Sequence, residues 1–178
     1  AGCKLPEQID GKSFATALTG QQQTHRDKIF TTQTGDGVMN IFPMRSVRTD
    51  KFKYIHNLRP DAYHTNHSDR LRKDGAGAYW DSWDRAAQTN PQAAAIIKRY
   101  YTRPKEELFD IIKDPLELNN LAEKPEYSKT LRQLKAELAT WTKSQGDTLQ
   151  PHRQPHLISK PLPNADELLK QKPRNKKP

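Results

Sequence analysis

Apolar and polar residues alternate along this chain with two different periods. Residues 28–32, 44–49 and 52–58 are short runs rich in β-branched and aromatic side chains, the composition of strands. In the last run Phe52, Tyr54, His56 and Leu58 share one face by period two, and Lys53, Ile55 and Asn57 share the other. Asp50-Lys51 makes a short hairpin connection between the second and third runs. Thr34-Gly35-Asp36-Gly37 supplies the permissive backbone that a sharp reversal after the first run needs. Residues 106–112 read as a fourth strand. The second period is helical: Tyr127, Leu131, Leu134, Leu138 and Trp141 recur at intervals of four, three, four and three, which predicts an amphipathic helix over 125–143. Pro125 suits its first turn and Gly146 its stop. The pattern therefore predicts an α+β fold, a small antiparallel sheet of about four strands with one partly wetted face and a C-terminal amphipathic helix packed on it.

Elsewhere the pattern is weaker. Phe14, Ala17 and Leu18 recur at helical spacing over a turn or two that Gly20 closes. Residues 59–78 read as a polar insertion with prolines, histidines and glycines. Tyr79, Trp80 and Trp83 form an aromatic knot, followed by a helical run over 85–101 in which Pro91 suits a first-turn position. No internal repeat is visible.

Length and composition narrow the class. A chain of 178 residues fits one domain with an appendage, and 33% hydrophobic content with 13 prolines implies much irregular backbone. The net charge of +9 is unevenly spread: residues 151–178 hold seven Lys/Arg against two Asp/Glu, so this tail carries +5 and the other 150 residues +4. A basic, proline-punctuated tail of this kind is expected to be disordered. Nucleic-acid binding would need aromatics interleaved with Lys/Arg on one surface, whereas the aromatics here fall on apolar faces. The single cysteine, Cys3, excludes an intramolecular disulfide framework, and no run approaches the roughly 20 apolar residues of a membrane span. The chain opens Ala1-Gly2-Cys3 with no hydrophobic leader, which leads to the expectation that a beginning, with any export signal, lies upstream.

Several polar residues are candidates for contact with an anion. Arg45, Arg48, Lys51 and Lys53 put positive charge on or beside the second and third strands. The planar fork of Arg45 can hold a sulfate or carboxylate in two hydrogen bonds, or tie this unit to an acid on a neighbouring domain; the second reading is favoured. Gln33 and Asp36 sit in an inter-strand loop, a usual place for ligand contacts. His64 and His67, with Asp61 and Asp69 nearby, make a His-x-x-His pair in a polar loop. Without a third ligand at fixed spacing that is a weak metal signal. The readings run from a solvated loop, through contact with sugar hydroxyls or sulfate, to a metal. Trp80 and Trp83 can stack on a sugar ring, but closing a small core under a long loop is favoured.

Three segments, residues 29–58, 100–122 and 141–147, together resemble the C-terminal part of type I sulfatases, especially the heparan N-sulfatase (N-sulfoglucosamine sulfohydrolase) branch. The most specific pieces are Pro43-Met44-Arg45-Ser46-Val47 and Glu107-Leu108-Phe109-Asp110 followed by Asp114-Pro115, Glu117 and Asn120-Leu121. The resemblance covers residues 11–147 and implies the C-terminal subdomain of an alkaline-phosphatase-like sulfatase, docked on a large α/β catalytic domain of the same parent chain. It divides the chain into a lead-in from that domain (1–24), the subdomain (25–147) and the basic tail (148–178). It further implies a sulfated carbohydrate substrate, export to the periplasm or cell exterior, and a cleft whose mouth lies near Gln33 and Asp36. Substrate-contact candidates are then Gln33, Asp36, Arg45, His64 and His67. The family's nucleophile is a formylglycine made from the Cys or Ser of a Cys/Ser-x-Pro-x-Arg motif, and a calcium ion held by Asp and Asn polarises the sulfate. Cys3-Lys4-Leu5-Pro6-Glu7 departs from that motif and the acidic metal-binding cluster is absent. The resemblance thus implies no catalytic residue, metal or cofactor in this chain; calcium and formylglycine belong to the catalytic domain. Two other classes stay open, a non-catalytic binder of sulfated glycans and, less favoured, a nucleic-acid binder.

Overall fold

The computed structural model describes residues 8–9, 11–35, 39–72 and 77–163. Four antiparallel strands, β1 (Lys28–Gln33), β2 (Met44–Thr49), β3 (Phe52–Asn57) and β4 (Glu106–Asp110), lie side by side in the order β1-β2-β3-β4. The helices are α1 (Ala15–Leu18), α2 (His67–Arg70), α3 (Trp80–Thr89), α4 (Pro91–Tyr101) and α5 (Ser128–Ser144), the last entered through a 3-10 turn at Pro125–Tyr127. The β2–β3 hairpin is closed by one side chain: Thr49 Oγ1 accepts from the Phe52 N–H at 2.9 Å and donates to the Phe52 carbonyl at 3.1 Å.

Strand register decides which side chains meet α5. Phe30, Val47, Tyr54 and Leu108 are cross-strand neighbours and so share one face. Buried Val47, Tyr54 and Leu108 pack there against Leu134 and Leu138, and Phe30 stacks on Trp141 at 4.9 Å between ring centres. The period-four-and-three stripe of the sequence is therefore the stripe that docks. The opposite face is divided. Ile29, 55% exposed, Thr31 and Arg48 leave most of its β1–β2 half in water, whereas Ser46 of β2 and Ile55, Asn57, Glu107 and Phe109 on the β3–β4 half are buried. The expected wetted face thus exists over only part of the sheet. The outer edge of β4 is satisfied by Asn120, whose Oδ1 accepts from the Leu108 N–H at 2.9 Å and whose Nδ2 donates to the Glu106 carbonyl at 3.0 Å. The Leu121 N–H adds a bond to the Leu108 carbonyl at 2.8 Å.

Two expectations need correction. The helical run over 85–101 is two helices, because a proline ring disfavours helical backbone in the residue before it. Asn90 is accordingly extended and caps α4, its Oδ1 accepting from the Gln92 and Ala93 N–H groups at 2.9 and 3.2 Å. The helical backbone also begins earlier, at Trp80, so the aromatic knot is the first turn of α3; Trp80 is buried and Trp83 is 47% exposed. The second correction concerns the tail, expected to be disordered over 148–178. Its first half is a strap across the segment before α2: Leu157 bridges Ala62, the Tyr63 N–H donates to the His156 carbonyl at 2.8 Å, and the Ile158 N–H donates to the Asp61 carbonyl at 2.9 Å. Arg70 Nη1 then donates to the Pro163 carbonyl at 3.1 Å. The strap holds because it satisfies backbone groups of 61–63. Residues 164–178 lie outside the described residues.

Candidate substrate-facing site

Arg45 stands on the α5 face of β2 at only 3% exposure. Its Nη1 donates to the carbonyls of Gln33 at 2.8 Å and Met44 at 2.9 Å. Its Nε and Nη2 grip the Asp147 carboxylate, the Nη2–Oδ1 bond being 2.9 Å. Asp147 comes to hand because Gly146 takes a left-handed backbone (φ 64°) that ends α5 and turns the chain toward the sheet. The Arg45 guanidinium, with the Leu149 N–H, holds the Asp147 carboxyl below its usual range. The acid that the sequence reading seeks on a neighbouring domain is thus in this same chain, and the donors of Arg45 are turned inward rather than toward a ligand.

Gln33 is the last residue of β1, and its partner across the sheet is Met44. The two legs that continue from this pair run close together: a Cβ added at Gly35 (φ 135°) would meet the Asn40 carbonyl oxygen at 2.2 Å. Only glycine fits there. Met39, Ile41 and Phe42 on the return leg are buried, and the Thr65 hydroxyl donates to the Met39 carbonyl. Asp36 lies outside the described residues.

His64 is held between Phe42 and Tyr100, ring centres 5.3 and 4.9 Å away, both edge to face. Burial, reinforced by nearby Arg103, lowers its pKa to about 4, so the ring is neutral near pH 7. Its ring packs edge to face between these two aromatics. His67 begins α2 and is exposed. Among the described residues no group of three or more His, Cys, Asp or Glu is placed to hold a metal ion. The structure therefore brings Gln33 and Arg45 into contact and leaves His64 and His67 apart in role.

Two features carry more than the sequence reading assigns them. Asp69, fully buried, accepts from Tyr100 Oη at 3.1 Å and Arg70 Nε at 2.9 Å. Its legible signal is the Asn66-x-x-Asp69 spacing of a capping box, which the structure contains. His56 borders a cavity of about 330 Å³ between the sheet and α5, with Lys135, Lys143 and Thr142. Desolvation lowers its pKa, against the opposing pull of Glu106. These groups can donate hydrogen bonds and shape a surface; none forms a nucleophile paired with a base.

The described residues form a sheet-and-helix unit whose polar groups can make contacts. No protein-family model matches the chain. It is 30% identical to an ulvan-active sulfatase of Formosa agariphila over 155 residues, 84% of this chain and 27% of that protein. It is likewise 30% identical to the N-sulphoglucosamine sulphohydrolase of Homo sapiens over 134 residues, 75% of this chain and 26% of that protein. Among solved structures, a 2-O GAG sulfatase superposes with a TM-score of 0.54 at 23% identity, over 93% of this chain and 29% of that one, a likeness of fold. The chain belongs with the sulfatases, as the counterpart of a C-terminal part of these larger proteins. It spans about a quarter of the length of the curated relatives it matches.

Proposed function

We propose that this chain is the C-terminal portion of a sulfatase that hydrolyses a sulfate ester or sulfamate on a carbohydrate. Its own work is to pack on the catalytic domain and to form one wall of the substrate cleft. The observation that carries the reading is the match to an ulvan-active sulfatase along most of this chain but a quarter of that protein. In this reading residues 25–147 are the subdomain, residues 148–163 strap it, and residues 1–24 lead in from the catalytic domain. Gln33 and Asp36, at and after the end of β1, are the residues for substrate contact, with exposed His67 second. Arg45 and His64 support the wall from within. In this reading formylglycine and calcium belong to the catalytic domain, as in the family that the chain resembles. The parent protein acts outside the cytoplasm; no helix among the described residues is long and apolar enough to cross a membrane.

The test is release of inorganic sulfate from sulfated oligosaccharides by the longer protein that carries this chain. The proposal expects release. Heparin affinity that survives deletion of residues 151–178, with no sulfate release from any form, would instead make the chain a glycan-binding module.

A further inference from the structure

The Arg45–Asp147 pair sits where a single guanidinium joins three stretches of chain. One is the end of β1 at Gln33, the second is the start of β2 at Met44, and the third is the turn after α5. Asp147 is 102 residues from Arg45 in sequence, so the pair ties the turn after α5 to the root of the 33–44 segment. Both groups are well shielded, with side-chain exposures of 3% and 13%. The Gly35–Asn40 approach narrows the two legs above it, and the Thr65 bond to Met39 ties the return leg to the stretch before α2. We propose that Asp147, acting through Arg45, is a positioning residue that sets where Gln33 and the legs beside it stand against the substrate. The mechanism is direct: Asp147 fixes the orientation of the guanidinium, and Nη1 then clasps the Gln33 and Met44 carbonyls together. Gln33 is the last paired residue of an edge strand, so without the clasp it loses the contact that ends its fraying. This rests on the reading of Gln33 as a substrate contact.

The test separates the clasp from that reading. Removing one partner would bury an unpaired charge and risk unfolding, so the informative variant replaces both, Arg45→Met with Asp147→Leu, an exchange that buried ion pairs commonly tolerate. In the 178-residue chain, amide hydrogen exchange at 33–35 and 39–42 is expected to quicken by about tenfold or more, while β3, β4 and α5 keep their protection. Unchanged exchange at those amides overturns the clasp. In the longer protein, turnover of a heparin-derived sulfated disaccharide is expected to show KM raised about tenfold with kcat within about twofold, and Asp147→Glu to recover most of the loss. Faster exchange with KM unmoved overturns the positioning role while leaving the sulfatase reading intact. If the unaltered longer protein releases no sulfate, the sulfatase reading and the positioning role fall together, and the exchange result still decides the clasp.

Discussion

The cluster beneath α5 and the cluster between the 39–43 leg and α4 are both buried, yet they are built by opposite means. Beneath α5, Val47, Tyr54, Leu108, Leu134 and Leu138 meet because two regular periods face one another. In the other cluster Phe42, His64, Trp80, Tyr100 and Tyr101 come from four separate stretches, with ring centres 4.7 to 5.9 Å apart. Polar groups organise it: Asp69 anchors Tyr100 and Arg70, and Arg72 reaches Tyr101 Oη at 3.1 Å as well as Asp81 and Asp84. The first cluster depends on how much apolar area it covers; the second depends on Asp69 keeping its partners, while His64 Nδ1 and Trp80 Nε1 are buried in it without one among the described residues. A region that looks hydrophilic in sequence can therefore hold a well-buried core.

That contrast is sharpest for Asp69→Ala. The change leaves Arg70 Nε and Tyr100 Oη without their acceptor in a buried site, and urea unfolding should register a loss of about 4 kcal/mol. A loss below about 1 kcal/mol would mean that the polar organisation is incidental. Leu138→Ala, in the apolar cluster, should cost about 3 kcal/mol by transfer and cavity terms. The same measurement checks it.

The pH response should divide the two clusters as well. His64 in the folded chain takes a proton only near pH 4, whereas an ordinary imidazole does so near 6.5. Acid in that window therefore favours the unfolded state: the stability that His64 contributes is complete above 6.5 and falls as the pH drops toward 4. The difference in unfolding free energy between the unaltered chain and His64→Phe should change by about 2 kcal/mol over this window. A parallel pair of pH curves would place His64 in water. The smallest effect belongs to Asn120→Ala, which uncaps the β4 edge and should cost about 1 kcal/mol, with faster exchange at the Leu108 amide.

The same contrast explains what could be read from the residues alone. The β2 strand and the α5 stripe were legible because side-chain period is a local property; the 44–49 run is the strand observed. The reversal after Gln33 was legible from its glycines, and Gly35 does take a positive φ. The split at Asn90 was half legible, since Pro91 marks a first turn without saying that a separate helix ends just before it. The aromatic cluster was legible only at Trp80, whose place in a small core under a long loop is the favoured reading of the sequence; nothing in the spacing of Phe42, His64 and Tyr100 links them to it before the chain is folded. The partner of Arg45 was not legible; it stands just past a helix whose stop is itself clear from Gly146. The strap at 148–163 is held by backbone hydrogen bonds, and these leave no mark in side-chain composition.

The central claim is that this part of the molecule completes a cleft whose chemistry is performed elsewhere in the parent protein. Excising residues 25–147 from the longer protein and assaying sulfate release from a sulfated oligosaccharide tests it most directly. The account predicts that release is lost although the formylglycine is still made. Undiminished release by the shortened, folded protein would contradict it.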